Sequence, residues 1–171
     1  MRRIKQISFL LLGLILSGCA TTSIKTANDV FLQSTIDTDS YKKSTWVESP
    51  CLDNWMYRVW LRAQVENKNV ISYQIYVLDR DSDWRFFNSA YDADGKKLDF
   101  RTVDSLVESY GAYSGYTREE YVIVVDRKYL NNSIGKEINF KAVGQRGERV
   151  IVVPSIYIEG FLKKVDEYIA K

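Results

Sequence analysis

The sequence predicts a mainly β protein, an antiparallel β-sandwich of about 7–8 strands with one C-terminal α-helix. Apolar and polar residues alternate over 57–66, the pattern of a strand with one buried face. Short apolar segments then recur between turn signals such as Asp92-Ala93-Asp94-Gly95, a spacing typical of sandwiches and barrels. The last segment changes from a period of two to the 3.6-residue period of a helix.

The first hairpin is the best-defined part of this prediction. Odd-numbered positions are apolar in both of its strands, 57–66 and 71–77. Residues that face each other across an antiparallel pair share a face, so their numbers must sum to an even value. A three-residue loop at 67–69 satisfies this condition. It places Trp60 opposite Tyr76 and Arg58 opposite Leu78.

Further strands are expected at 44–49, 84–92, 97–103, 117–125, 137–143 and 149–153. Gly95 and the segment 144–147 mark two more hairpin turns, because glycine readily adopts a positive φ. Residues 104–116 are expected to be irregular. Asp126 is the expected N-cap of a single helical turn that ends at Leu130.

The C-terminal helix is predicted over 155–170, where one apolar stripe is formed by Ile158, Phe161, Leu162, Val165 and Ile169. Ser155 is its expected N-cap. Gly160 lies inside the helix, where it is unfavourable relative to alanine, so we expect it to allow close approach to the sheet.

Two locations are open for this helix. We expect it to cover the even-numbered face of the first hairpin, with Phe161 or Val165 touching Trp60, because an exposed apolar stripe is unfavourable. In the alternative, Trp60 is exposed between Arg58 and Arg62. Trp60 would then be a ligand platform through stacking and cation–π contacts.

The chain contains no histidine. This excludes Ser-His-Asp and Cys-His catalysis, and it removes the usual general base near neutral pH. A hydrolase that uses a pair of carboxylates remains an alternative. Because nothing in the sequence brings two acids together, we expect a protein that is not an enzyme, with no catalytic residues and no cofactor.

A calcium loop is a weak possibility at Asp79, Asp81 and Asp83. Trp84 stands where an EF-hand loop requires glycine, and Ala90 stands where it requires glutamate. We therefore interpret this segment as a solvated turn and expect no metal site.

The amino terminus has the pattern of an export signal. Arg2, Arg3 and Lys5 precede the apolar run 7–16, which is too short to span a membrane. The segment Leu16-Ser17-Gly18-Cys19 follows directly. It resembles the lipobox of bacterial lipoproteins.

This resemblance implies that residues 1–18 are a signal peptide and that Cys19 becomes the acylated amino terminus, carrying diacylglycerol and palmitate. Residues 19–43 would be the lipidated N-terminus and a tether, and residues 44–171 the sandwich domain. Ala20 follows the cysteine where an inner-membrane lipoprotein has Asp. In a Gram-negative source this implies the inner leaflet of the outer membrane, facing the periplasm.

The charge balance argues against a nucleic-acid partner. The formal charge is +2, and loss of the signal's three basic residues would lower it to −1. Nucleic-acid binding requires a concentrated basic surface. Membrane lipid through Cys19 and an envelope protein or the cell wall are the expected partners.

Cys51 would have no partner within the chain if Cys19 carries lipid. The favoured interpretation is a buried structural thiol, and the alternative is an intermolecular disulfide.

Tyr110, Tyr113 and Tyr116 lie among glycine and serine, the composition of adaptable recognition surfaces. They either form such a surface or fold inward and plug one end of the sandwich. With Trp60, Arg58 and Arg62 they are the candidate binding surface. The functional hypotheses are a non-catalytic binding lipoprotein, a structural accessory of an envelope assembly or secretion machine, and a carboxylate-based hydrolase.

Overall fold

The computed structural model describes residues 23–41, 43–109 and 115–171. These residues form three helices and ten strands: α1 (Ala27–Gln33), β1 (Thr35–Asp39), β2 (Ser44–Glu48), β3 (Leu52–Asp53), β4 (Tyr57–Glu66), β5 (Asn69–Asp81), β6 (Phe87–Asp92), β7 (Asp99–Ser109), β8 (Gly115–Val125), α2 (Arg127–Asn132), β9 (Ile138–Gly144), β10 (Gly147–Val153) and α3 (Ser155–Ala170).

The strands form two antiparallel sheets, which confirms the predicted β-sandwich class. A seven-stranded sheet has the order β1-β2-β4-β5-β8-β7, with β3 also pairing with β4, and a three-stranded sheet has the order β10-β9-β6. Each predicted strand has a counterpart. The strands β1 and β3 were not predicted, because β1 is exposed along most of its length and β3 has only two residues.

The register of the first hairpin is as predicted, but its loop is different. Trp60 pairs with Tyr76 and Arg58 with Leu78. The turn has two residues, Asn67 and Lys68, which both have positive φ angles, as a type I′ turn requires. Ile71 has no partner in β4, and this bulge restores the even-sum register that a two-residue turn would otherwise break.

The turn around Gly95 forms as predicted, and Gly95 has a φ of 78°. The strands on either side belong to different sheets, because β6 pairs with β9 whereas β7 pairs with β8. The prediction that 104–116 is irregular is wrong for its described part, since β7 extends to Ser109 and β8 begins at Gly115. The predicted cap of α2 is confirmed, with Asp126 Oδ1 accepting from the Tyr129 amide at 2.6 Å.

Ordered structure begins earlier than the tether predicted at 19–43 allows. A capping box opens α1, because Thr26 Oγ1 accepts from the Asp29 amide at 3.1 Å while Asp29 Oδ2 accepts from the Thr26 amide at 2.9 Å. The strand β1 then adds an edge to the large sheet. The tether prediction is therefore wrong for 27–39, where isolated Ser, Thr and Asp residues serve as caps and edge positions.

The helix α3 has the predicted bounds but lies on the other side of the large sheet. Phe161 meets Tyr73 edge-on, with ring centroids 6.3 Å apart. It is fully buried in the core with the odd-numbered face of β4 and β5. The prediction that α3 covers Trp60 is wrong, because three strands cannot cover seven. The helix fills the part of the inner face that the small sheet leaves open.

The two local predictions for α3 also need correction. Gly160 allows close approach to α1 rather than to the sheet, because a Cβ atom there would lie 2.2 Å from the Ala27 carbonyl oxygen. The N-cap is Pro154 and makes no side-chain capping bond. The Ser155 hydroxyl instead accepts from the Gly135 amide at 2.7 Å and donates to Glu159 at 2.6 Å.

Candidate functional site

A cleft of about 560 Å³ opens at the end of the sandwich where β4 and β8 begin and β5 ends. This volume is within the usual range of ligand pockets, about 300–1,000 Å³. Its walls combine aromatic and sulfur-containing side chains with three arginines and one carboxylate. They are Trp55, Met56, Arg80, Asp81, Ser82, Arg85, Tyr116 and Arg149.

The aromatic wall is carried by the turn between β3 and β4. The Asn54 amide donates to the Tyr57 carbonyl at 2.9 Å, and the Met56 amide donates to Asn54 Oδ1 at 3.2 Å. The Met56 carbonyl in turn accepts from the Arg80 amide at 3.0 Å, which ties the turn to β5. This ordered turn holds the Trp55 side chain at the mouth of the cleft, with the residue 88% exposed.

Arg149 forms the buried floor of the cleft. It reaches from the small sheet to the large one, where Nε donates to Asp79 Oδ2 at 2.7 Å and Nη2 donates to Asp79 Oδ1 at 3.2 Å. Nη2 also donates to Asp81 Oδ2 at 3.0 Å. Because the Arg149 and Asp79 side chains are only 8% and 2% exposed, the pair is fixed in place and joins the two sheets.

Asp81 is fully engaged by its neighbours. Its Oδ2 accepts from Arg85 Nε at 2.9 Å, and its Oδ1 accepts from the Ser82 amide at 2.7 Å. Partial burial tends to raise the pKa of Asp81, but hydrogen bonds from Arg85 and Ser82 outweigh it and hold that pKa below its ordinary value. Asp81 therefore stays ionised and is poorly suited to act as a general acid.

Glu119 holds the backbone that carries Arg85, one of the arginines of the cleft. Its carboxylate accepts from the backbone amides of three successive residues, Arg85, Phe86 and Phe87, at 2.7, 3.1 and 3.0 Å. Phe86 has a positive φ of 53°, a conformation that few side chains adopt. The three hydrogen bonds to Glu119 stabilise this conformation. They also fix the backbone from which the Arg85 side chain reaches Asp81.

One of the predicted binding residues lines the cleft. Tyr116 is 46% exposed and stands on the wall formed by the start of β8. The predictions for Tyr110 and Tyr113 fall outside the described residues. The inward-plug interpretation does not hold for Tyr116.

The other predicted binding residues lie on the outer, even-numbered face of the large sheet. Trp60 is half-buried and stacks on Tyr76 with ring centroids 4.7 Å apart. The Arg62 guanidinium lies 4.3 Å from the Tyr76 ring centroid and 4.6 Å from that of Trp46. The alternative of an exposed Trp60 platform is therefore also wrong, since Trp60 belongs to a packed layer of rings and guanidinium groups.

Arg58 lines a surface groove with Trp60 on this outer face, and its Nε lies 3.1 Å from Asp53 Oδ2. The three predicted residues Trp60, Arg58 and Arg62 are thus not brought together with Tyr116 in the cleft.

The prediction of a buried Cys51 is wrong. Its thiol is exposed and free, because it lies in the connection between β2 and β3 rather than inside the sandwich. Although Cys51 is exposed, partial desolvation of its thiol and the nearby Asp53 carboxylate raise the pKa of Cys51, so the thiol is not activated as a nucleophile. Cys19 lies outside the described residues, and its lipidation stays a prediction.

The described ranges contain no cluster of three or more acidic or cysteine side chains that could hold a metal ion. Asp79 and Asp81, from the weak calcium motif, are engaged by Arg149 and Arg85. Both lie in β5 and Asp79 is 2% exposed, so the interpretation of this segment as a solvated turn is wrong for these two residues. Among the helices of the described chain, none has the length and apolar character needed to cross a bilayer.

Sequence reasoning missed Trp55, Arg85 and Arg149. A signal for Arg149 was present, because its position alternates in phase with the buried residues Ile151 and Val153. Asp79 likewise continues the odd-numbered apolar positions of β5. Opposite charges at inward positions of two strands indicate a buried ion pair, whereas Trp55 has no comparable pattern in the sequence.

No family model matches the chain, and neither the curated proteins nor the solved structures contain a significant match.

Proposed function

We propose that this chain is a lipid-anchored protein of the bacterial cell envelope whose sandwich domain is a non-catalytic binding module. The anchor is proposed from the Leu16-Ser17-Gly18-Cys19 pattern and its basic and apolar flanks. In a Gram-negative source, Ala20 supports placement in the inner leaflet of the outer membrane, facing the periplasm.

The observation that carries the binding role is the exposure of Trp55 at the mouth of the cleft. An indole that is 88% exposed contributes little to the core. Trp, Tyr and Arg are the residue types most enriched among those that dominate binding energy at interfaces. The cleft presents all three on backbone that Asn54 and Glu119 hold in place, so it is preorganised for a partner.

Anchoring is tested by metabolic labelling with palmitate. The wild-type chain should incorporate label and fractionate with membranes, and Cys19→Ser should abolish both. A matched Cys51→Ser variant controls for loss of a thiol elsewhere. Label that persists in Cys19→Ser contradicts the proposed anchor.

Binding is tested by placing a photoreactive amino acid at position 55 in intact cells. Illumination should give a discrete crosslinked species from this position. The matched control is position 41, where Tyr41 is 98% exposed but does not line the cleft. Equal crosslinking patterns from both positions would contradict a binding role for the cleft.

A second candidate function, a structural accessory of an envelope assembly, is favoured by β7. This strand has 11 residues and, within the described part of the chain, pairs along one side only, with β8. Val103 and Val107 on it are 49% and 62% exposed. A partner strand could extend the sheet here. A proline at Ser105 should then disrupt assembly while leaving crosslinking from position 55 unchanged.

The hydrolase alternative has less support. Asp81 is the single carboxylate among the side chains that line the cleft in the described structure. Hydrogen bonds from Arg85 and Ser82 hold its pKa below the ordinary value and keep it ionised, whereas glycoside hydrolysis requires a second acid that can donate a proton.

A further inference from the structure

The cleft presents an excess of positive charge. Three guanidinium groups and one carboxylate line it. Asp79 and Glu108, which pair with Arg149 and Arg80, do not line the cleft, and the Asp79 side chain is only 2% exposed. A ligand entering the cleft therefore meets a net positive wall, which favours an anion.

Arg149 keeps hydrogen-bonding capacity on the cleft side. A guanidinium has five N–H donors, and Nε and Nη2 are occupied by Asp79 and Asp81. Among the described residues, the hydrogen-bond acceptor of Nη1 is the Met56 sulfur at 2.9 Å, and a thioether is a weak acceptor. The Arg149 side chain is only 8% exposed, so a donor this poorly satisfied favours an oxygen acceptor from a ligand.

Among the described residues, the side chains that line the cleft offer one carboxylate and two hydroxyls as acceptors. Its one carboxylate, Asp81, already receives hydrogen bonds from Arg85, Arg149 and Ser82. A polyhydroxylated sugar needs acceptors as well as donors, because each hydroxyl carries a proton. The side chains of the cleft suit a ligand rich in acceptors, such as a carboxylate, better than a carbohydrate.

An apolar surface adjoins these donors. Trp55, Met56 and Tyr116 provide it, and they lie on the same cleft as the arginines. Aromatic side chains give large contact area with few rotatable bonds to immobilise. The cleft thus offers one surface for an apolar side chain and one for an adjacent carboxylate.

We infer that the cleft binds an acidic peptide segment of a partner protein, in which an apolar residue lies against Trp55 and a neighbouring carboxylate is held by the arginines that line the cleft. This inference rests on the proposed binding function and names the chemistry of its ligand. Arginine–carboxylate hydrogen bonds are charge-assisted, so binding should weaken as salt concentration rises.

The test uses the full lipidated chain in detergent and dye-labelled hexapeptides with blocked termini. Each probe peptide carries two Asp or Glu residues beside a Leu or Phe, and its control carries Asn or Gln instead. Fluorescence anisotropy should show that the acidic peptides bind and that the amide peptides bind at least about tenfold more weakly, as expected when a charged partner is lost.

Two variants with matched controls assign this binding to the cleft. Trp55→Ala and Arg80→Gln should each weaken binding about tenfold, the size expected for residues that dominate an interface. Arg80→Gln is expected to fold, because its partner Glu108 keeps Arg118 at 2.6 Å. Tyr41→Ala and Arg101→Gln remove exposed side chains elsewhere and should leave the affinity unchanged.

Equal binding of acidic and amide peptides, or equal losses in the control variants, would overturn the inference. Binding of soluble peptidoglycan fragments in place of peptides would overturn its assignment to a protein partner. If position 55 crosslinks a partner in cells but the crosslinked segment contains no acidic residue, the proposed function stands and the inference fails. If position 55 crosslinks no partner and no acidic peptide binds, both fail.

Discussion

The two faces of the large sheet are both well covered, but by different means. On the inner face, Val59, Leu61, Ile75 and Val77 are at most 1% exposed and belong to the apolar core with α3. On the outer face, Tyr76 and Val122 are 6% and 4% exposed. Long side chains of the sheet itself lie over this outer face, such as Arg62 over the rings of Trp46 and Tyr76.

The two faces differ in the kind of contact that covers them. The inner face is closed by complementary packing, which is sensitive to the loss of volume. The outer face is closed by planar groups lying over one another, such as Arg62 over Trp46 and Tyr76. The hydrocarbon stem of an arginine can cover apolar surface while its charged end stays near water. The outer layer should therefore tolerate truncation better than the core.

Phe161→Ala should have the largest effect. Phe161 is fully buried between α3 and the inner face, and its loss leaves a cavity, so we expect about 3–5 kcal/mol less stability in urea unfolding followed by circular dichroism. The unfolding transition of the variant should remain cooperative. A loss below about 1 kcal/mol would mean that α3 is not part of the core.

Gly160→Ala tests how α1 closes the inner side. The new Cβ would lie 2.2 Å from the Ala27 carbonyl oxygen and 2.6 Å from Val30 Cβ, so α1 must shift. We expect a loss of about 1–3 kcal/mol, typical of overpacking. Faster hydrogen exchange over 27–33 should accompany it. Unchanged exchange there would show that the two helices are not in close contact.

Trp60→Ala should cost less than either change on the inner side. Its ring is half-buried and stacked on Tyr76, and such a ring pair contributes about 0.5–1.5 kcal/mol beyond area burial. We expect a total loss of about 1–2 kcal/mol.

The matched variant Arg62→Met keeps a long stem over the same rings. It should cost about 0.5–1 kcal/mol, the size of a partly exposed cation–π contact. A Trp60→Ala loss equal to that of Phe161→Ala would end the distinction between the two faces.

The sequence predicts the inner face better than the outer one, for a physical reason. Alternation along β4 and β5 identifies buried positions directly, and face parity then fixes the Trp60–Tyr76 register. Parity does not say what covers each face. The location of α3 depends on how much of the inner face the small sheet leaves open. The extent of the small sheet depends in turn on the pairing of β6 with β9 instead of with β7, its neighbour in the chain.

The cleft was harder to predict than the fold. It is assembled from the turn at Trp55, the end of β5 and a strand of the other sheet. Of its lining residues, only Tyr116 was predicted to bind a partner, from the composition of its loop, and Asp81 was considered only as part of a weak calcium motif. The buried Arg149–Asp79 pair was within reach of pattern analysis, because both residues occupy inward positions of their strands. Trp55 was not, since its role depends on the backbone of a turn.

Tyr121→Phe should have the smallest effect at neutral pH and the clearest dependence on pH. Tyr121 is 1% exposed on the inner face, and its hydroxyl has no hydrogen-bond partner among the described residues. A buried unsatisfied hydroxyl is unfavourable, so its removal should leave stability unchanged or raise it by up to about 1 kcal/mol. A clear loss of stability at pH 7 would show that the hydroxyl is hydrogen-bonded.

Burial raises the pKa of Tyr121 well above its usual value. The unfolded chain releases this proton near pH 10, whereas the folded chain retains it. Above about pH 10 the unfolded state therefore binds fewer protons, and the stability of the wild type should fall by up to about 1.4 kcal/mol per pH unit from this residue. Tyr121→Phe removes that contribution. The difference in unfolding free energy between the variant and the wild type should be flat below pH 9 and rise in favour of the variant above pH 10. If the difference in unfolding free energy between Tyr121→Phe and the wild type stays flat to pH 11, the Tyr121 hydroxyl reaches solvent. The inner face would then be less tightly closed than the outer face.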